Sequence, residues 1–228
     1  MINPKTKNME GEKMNKTITV KGTGNVSAKP DLTLVTMDLR ANHYDYETTM
    51  NIATEQVNAI KTSLGELGFN KSDIKTINFD VQPRFESVKD ALGNYKRRFE
   101  GYECRHDLKI EFDLDMSMLS RVLSALAKCE AKPEFEVKFT IKDKESIKSQ
   151  LLENAVENAK NNATILAKTS GVSLGDILSI NYNWGEIHLY SDTNYCLAEE
   201  CMAAPSCIDI EPEDIYINDG VTIVWEIK

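Results

Sequence analysis

Two stretches of this chain return at a fixed interval. "AKPDL" at Ala28 comes back as "AKPEF" at Ala131, and "LGFNKSDIKTINFD" from Leu67 comes back as "SGVSLGDILSINYN" from Ser170. Pro30 and Pro133 stand 103 positions apart, and so do Gly68 and Gly171. Asp73 and Asp176, Ile74 and Ile177, Ile77 and Ile180, and Asn78 and Asn181 keep the interval without a gap. Self-similarity in one register is the mark of a repeated structural unit. It points to internal duplication over 28–83 and 131–186 and constrains the fold twice over, since what one copy forms the other is expected to form too.

Between its two blocks each copy carries a helical pattern. Tyr46, Met50, Ala53, Val57, Ile60, Leu64 and Leu67 alternate spacings of four and three. Ile147, Leu151, Ala155, Ala159, Ala163 and Leu166 form the matching stripe. Both read as amphipathic helices that cover a sheet, and the common interval predicts equal lengths. Gly68 and Gly171 fall where a helix C-terminus calls for a left-handed residue. The repeated unit is therefore strand, helix, glycine stop, strand. Ala155, Ala159, Ala163 and Ala167 lie four apart, and a row of small residues lets a helix approach its neighbour closely. In lipid such a row marks a dimer seam, but Glu157, Asn158, Lys160 and Asn161 exclude a membrane helix.

The remaining segments alternate with period two, as half-buried strands do. Leu108, Ile110, Phe112 and Leu114 share one face, and Lys109, Glu111 and Asp113 take the other. Phe135, Val137, Phe139 and Ile141 form a second such face, and Val221, Ile223, Trp225 and Ile227 a third. Clean alternation suits antiparallel sheets with one covered face. A shorter helix is predicted over 116–129, with Leu119, Val122, Leu123 and Leu126 inward. A loop, "ESVKDALGN", is predicted between a strand ending near Phe85 and one beginning near Tyr95. The fold class that follows is α+β: duplicated strand–helix–strand units, with a mostly antiparallel sheet packed against two long helices and one short one.

The chain has 228 residues, enough for one large domain or two small ones. Residues 1–16 read as a disordered extension and 17–228 as the folded domain. The net charge of −9 argues against general nucleic-acid binding, which needs cations to displace counterions, and against docking on anionic membranes. No run approaches the ~20 apolar residues of a membrane span. The N-terminal residues carry no apolar stretch of the signal-peptide kind, so the chain as given is expected in the cytoplasm. Its five cysteines are expected to be reduced there.

Several of these residues together resemble the SIMPL domain, once called DUF541. They are the early strand, then Gly22-x-Gly24, then Pro30-Asp31 opening a strand; Gly101-Tyr102 turning into a long middle strand; and the Ala-rich helix running into Gly171, Gly175 and Ile180. The resemblance covers roughly residues 16–228. It implies a mixed α/β fold with strands sheeted against long helices. Members include a bacterial oxidative-stress defence protein, periplasmic immunogenic proteins and a kinase-associated signalling molecule. No catalytic residues are defined for the family, so none carries over. The sequence as given is expected to depart from the pattern at its N-terminus, which does not read as the common export signal, and in the three cysteines of its last loop.

Candidate chemistry is sparse. Gly22-Thr-Gly24 does not extend to the third glycine and helix of a dinucleotide fingerprint, nor to the Gly-Lys-Ser/Thr of a P-loop, so it reads as a turn or bulge. His43, His106 and His188 show no metal-ligand spacing and read as structural. No serine stands in G-x-S-x-G. Cys196, Cys201 and Cys207 form the one local cluster of soft ligands, with Glu199, Glu200 or Asp209 as further donors, but the spacings are looser than zinc sites use. Glu211, Glu213 and Asp214 read as a solvated loop, and "YKRRFEGY" from Tyr95 as a hairpin with one charged face. No cofactor and no nucleic acid is expected. The expected function is non-enzymatic and works through protein surfaces, with a second copy of the chain as partner, because strands with a polar second face leave edges to be paired. The alternative is a small-molecule, metal or redox-responsive binding protein that uses the loop over 190–210.

Overall fold

The computed structural model describes residues 16–89, 94–182, 187–193 and 211–228. The chain divides into two compact units. The smaller is drawn from Met1–Ser27, Asp143–His188 and Tyr216–Lys228, and the larger from Ala28–Lys142 and Leu189–Ile215.

The larger unit is built on a four-stranded antiparallel sheet of β2 (Leu32–His43), β3 (Lys75–Lys89), β4 (Tyr95–Asp113) and β5 (Glu134–Thr140), in the order β3-β4-β2-β5. Val35 of β2 stands opposite Ile110 of β4 and Val137 of β5. On this face Val35, Met37, Leu39, Leu108, Ile110 and Phe139 are buried with Val57, Ile60 and Leu64 of α1 (Tyr46–Gly65) and Leu119, Val122 and Leu126 of α2 (Met116–Lys128). The predicted alternation therefore holds: apolar side chains cover one face, and the other carries Asp38, Arg40, Arg105, Asp107 and Lys109. Asp45 begins α1 by accepting from the Thr48 amide, and Asp115 begins α2 by accepting from the amides of Ser117 and Met118, satisfying donors that a helix start leaves without partners.

Pro30 and Asp31 open β2, as expected. Pro30 is buried, as is Pro133 ahead of β5. Asp31 joins three segments: its amide donates to the Thr140 carbonyl, its carbonyl accepts from the Leu114 amide, and its carboxylate accepts from the Lys142 amide at 2.8 Å.

The smaller unit pairs a three-stranded sheet with α3 (Lys144–Thr169). Its strands are β1 (Thr17–Ala28), β6 (Leu174–Tyr182) and β7 (Ile215–Ile227), in the order β1-β7-β6. Val221, Ile223 and Trp225 are buried with Val20 against Ala155, Ala159 and Ala163.

Gly22 and Gly24 are not a turn. They lie inside β1, which runs unbroken through them. Two residues apart, they share a face of the strand, and that face meets α3. A Cβ on Gly22 would strike the Ala155 carbonyl oxygen and come within 2.6 Å of the Ala159 Cβ, and a Cβ on Gly24 would strike the Leu151 carbonyl oxygen. The alanine row and the glycine pair are two halves of one contact, in which strand backbone rests on helix backbone. Asn158 accepts from the Thr23 amide at 3.1 Å and Asn154 donates to the Asn25 carbonyl at 3.1 Å, so α3 also occupies backbone groups of this edge strand.

Each long helix closes the same way. Phe69 donates to the Leu64 carbonyl and Val172 to the Ala167 carbonyl, and Gly68 and Gly171 sit at φ +101° and +70°. These bonds occupy matching positions in the two repeated blocks. The helices are not of equal length, however: α1 has 20 residues and α3 has 26. Leu166 also departs from the expected stripe. It is 48% exposed, and Ala167 is buried in its place, because the inward row of α3 keeps a strict spacing of four from Leu151 to Ala167. The strand expected to stop near Phe85 continues to Lys89.

Candidate interaction surface

Among the described residues, the strand that follows α1 is left bare. β3 is the edge of the four-stranded sheet, and of its 15 residues only Val81 and Val88 are partly shielded. Ile77 is 53% exposed and Phe79 is 50% exposed. The matching strand of the second block, β6, is likewise a sheet edge with exposed Ile177, Leu178 and Ile180. Apolar side chains on unpaired backbone are a template for another strand.

Beyond the end of β2, β3 and β4 continue as a two-stranded arm. β2 pairs with β4 only as far as Tyr102, whereas β3 follows β4 out to the pair Lys89↔Tyr95. A bulge marks the root of the arm: Arg84 pairs with Gly101 and Phe85 with Phe99, which leaves Glu100 as an extra residue on β4. Gly101 adopts φ +128°, and a Cβ there would strike the His43 carbonyl oxygen, so only glycine fits. The bulge has a direct consequence for side chains. Phe99 and Tyr102 are three apart and would point to opposite faces of a regular strand. The extra residue brings their rings to 5.4 Å.

Around that pair an aromatic cluster assembles edge to face. Tyr44 packs on Phe99 at 5.4 Å, Phe85 on Phe99 at 5.8 Å and Tyr46 on Tyr102 at 5.4 Å. The Arg97 guanidinium lies over the Phe85 ring at 4.5 Å, and the Lys89 ammonium over the Tyr95 ring at 5.2 Å. Tyr44 and Tyr95 are each 69% exposed. Arg98 pairs with Glu86 at 2.6 Å and Arg84 with Glu100 at 3.3 Å across the arm. "YKRRFEGY" is thus one strand of a hairpin, as expected, and its cations are spread over rings and carboxylates. Exposed aromatic residues and arginines are the side chains that dominate protein interfaces.

The other candidate residues do not converge. His43 accepts from the Asp45 amide through Nδ1 at 3.0 Å, a local turn contact. His106 stands 2.9 Å from the Thr76 hydroxyl and against the Phe79 ring; burial, and then the Lys61 charge, pushes its pKa below the ordinary histidine value. Cys104 and Cys129 are buried free thiols, and burial, then Asp80, pushes the Cys104 thiol up, away from the reactive thiolate. Tyr182 donates to Asp219 at 3.0 Å, with its pKa raised by burial and then by that carboxylate. Gly175 lies in β6 with the Glu226 carbonyl 3.0 Å from where its Cβ would be. Glu211 and Glu213 are exposed, and the Glu213 amide donates to Thr193. Cys196, Cys201, Cys207, Glu199, Glu200 and Asp209 lie outside the described residues. Among the described residues no three His, Cys, Asp or Glu side chains gather as a metal site would need, and no helix is long and apolar enough to cross a membrane.

Sequence reading missed the parts of this surface contributed by Tyr44, Tyr46 and Phe85, because the rings meet through a bulge and a strand–helix corner. A glycine three residues after an arginine pair, in "RRFEGY", was the available signal for the bulge.

Among the described residues, two antiparallel sheets and three helices, with β3 at the edge of its sheet, define an α+β protein. A model of the SIMPL family, described as a protein of unknown function (DUF541), matches residues 18–225. The chain belongs to that family. It is also 22% identical over 212 residues to the uncharacterized protein YggE of Edwardsiella ictaluri (strain 93-146), a match that covers 92% of this chain and 87% of that protein.

Proposed function

We propose that this chain is a non-enzymatic binding protein that works through its open sheet edge, and that its first partner is a second copy of itself. The observation that carries this reading is β3, a long edge strand exposed on both faces with Ile77 and Phe79 half uncovered. An edge of this length carries a cost in solution unless it is blunted or paired. Self-pairing between copies closes it by a two-fold operation, the commonest symmetry of homo-oligomers. The aromatic arm extends the same edge and adds ring and arginine anchors to it. The family resemblance, which includes an oxidative-stress defence protein, supports a role under stress.

Native mass spectrometry and light scattering test the reading. The wild-type chain is expected to populate a dimer or higher species as concentration rises. Ile77→Lys with Phe79→Lys is expected to return the chain to monomer with its circular dichroism unchanged, since both side chains are already half solvated. A wild-type chain that stays strictly monomeric at high concentration sinks the proposal.

A further inference from the structure

The second feature lies away from the β3 edge, on the outer side of α2. A groove of about 500 Å³ runs there, within the size range of small-molecule clefts. Leu67, from the turn after α1, forms part of its apolar lining together with Ala125. Ser117, Ser120 and Ser124 line it along α2, and Arg121 and Lys128 stand in the same row. Their spacing of three, four and seven places them on one face of the helix. Exposed helix faces usually carry long side chains. Three serines and an alanine in those positions leave the depression open.

Three further observations give the groove a chemical preference. First, α2 contains no acidic residue, although the chain as a whole carries 36 acidic against 27 basic residues. Second, Arg121 and Lys128 have no carboxylate partner among the described residues, whereas Arg40, Arg84, Arg98 and Arg105 each do. Third, several threonine hydroxyls on the other helices turn back to their own backbone, Thr54 to the Met50 carbonyl, Thr62 to Asn58, Thr164 to Lys160 and Thr169 to Ile165, while serines such as Ser63 and Ser149 do not. The hydroxyls of Ser120 and Ser124 make no such bond among the described residues. The groove thus offers an apolar strip, two cations and hydroxyl groups, with no carboxylate paired to either cation among the described residues; Asp115, at the start of α2, is engaged by the amides of Ser117 and Met118. An anionic group there gains charge-assisted hydrogen bonds, while an aliphatic body covers Ala125 and Leu67.

We propose that this groove binds an amphipathic carboxylate, with its head group held by Arg121 or Lys128 and its apolar chain laid along Ala125 and Leu67. The distance along α2 from Ser117 to Lys128 is about 16 Å, which accommodates a medium-length acyl chain. This site is independent of the β3 edge, so it stands or falls apart from the self-association proposed above.

Decanoate is the probe, titrated into the full-length chain below its micellar concentration and followed by amide NMR shifts. Saturable shifts are expected at Ser120, Ser124 and Ala125. Arg121→Glu with Lys128→Glu is expected to weaken binding about tenfold or more, the equivalent of about 1.4 kcal/mol. Ser124→Trp is expected to abolish binding by filling the groove. All three side chains lie at the surface or partly so, and an unchanged melting profile checks that each variant is folded; if Ser124→Trp is not, Ser120→Leu replaces it. Any of three results overturns the proposal: no saturable shift with decanoate, equal binding of decylammonium, or shifts that leave α2 and ignore the charge reversal. A groove that ignores decanoate but takes a glutamate-bearing amphipathic peptide overturns it as well and assigns the face to a protein partner.

Discussion

Gly22 and Gly24 show how much one missing carbon decides. At both positions a Cβ would fall on the backbone of α3, and a helix backbone cannot shift aside as a side chain end does. Gly22→Ala and Gly24→Ala are each expected to destabilise the chain by about 2–3 kcal/mol, the cost of overpacking a closed contact. Gly65, the last residue of α1, is the control. Nothing stands within 4 Å of a Cβ there and its φ is ordinary, so Gly65→Ala is expected to be neutral or to stabilise by up to about 1 kcal/mol. Chemical denaturation of the three variants measures this. Equal losses at Gly22 and Gly65 would remove the strand–helix contact as the explanation. The two glycines were visible in the sequence as a motif, but the reason for them was not, since their neighbour in space lies about 130 positions along the chain, at Ala155 and Ala159.

At the scale of elements, each of the three helices among the described residues begins on an aspartate: Asp45, Asp115 and Asp143. The Asp45 carboxylate is held below the ordinary aspartate range, first by the backbone amide of Thr48 and then by its hydroxyl. A carboxylate depressed in the folded state contributes stability above its unfolded pKa and loses that contribution as pH falls through the folded value. Asp45→Asn keeps a neutral cap. The melting temperature of the wild type should therefore exceed that of Asp45→Asn at neutral pH, and the gap should close as acid protonates the carboxylate. A gap that stays constant from pH 7 to the acid limit would show that the charge is not what caps α1. The strands were the most legible elements, because alternation along Leu108–Ile110–Phe112 or Val221–Ile223–Trp225 states which face is buried without reference to any partner. The arm was half legible. Its hairpin was foreseen, but its length was not, nor was the face on which Phe99 and Tyr102 meet, because a bulge is set by pairing with β3 and by the close approach of His43 to Gly101.

At the scale of the molecule, the two units bury different kinds of core. The larger buries Met37, Leu39, Ile60, Leu64, Leu108, Ile110 and Phe139 together. The smaller rests Val20, Val221, Ile223 and Trp225 on a helix face made of alanines. Stability follows the apolar area removed from water, so local opening should cost less where the buried side chains are fewer and smaller. Hydrogen exchange is expected to show amides of β1 and β7 opening at lower free energy than those at the centre of β2 and β4. The reverse order would mean that backbone contact between β1 and α3 outweighs side-chain volume.

The repeat also shows where sequence stops deciding. The local plan of each block — strand, helix, glycine stop, strand — follows from short-range chemistry: hydrophobic period, a left-handed glycine, and backbone bonds closed within six residues at Leu64–Phe69 and Ala167–Val172. Those causes are complete within the repeated stretch. The use made of the strands is not. In the first block β2 and β3 join one sheet with β4 between them, while in the second β5 joins that sheet and β6 joins the other. Which strand finds which neighbour depends on long-range backbone pairing, and α3 found β1 because alanines and glycines from distant parts of the chain remove the same few ångströms. By itself the sequence determined the alternating strands, the presence of the helices and the family; the tertiary structure decided how far β1 and β3 run, the partners of the buried faces, and with them which strands lie at the edges.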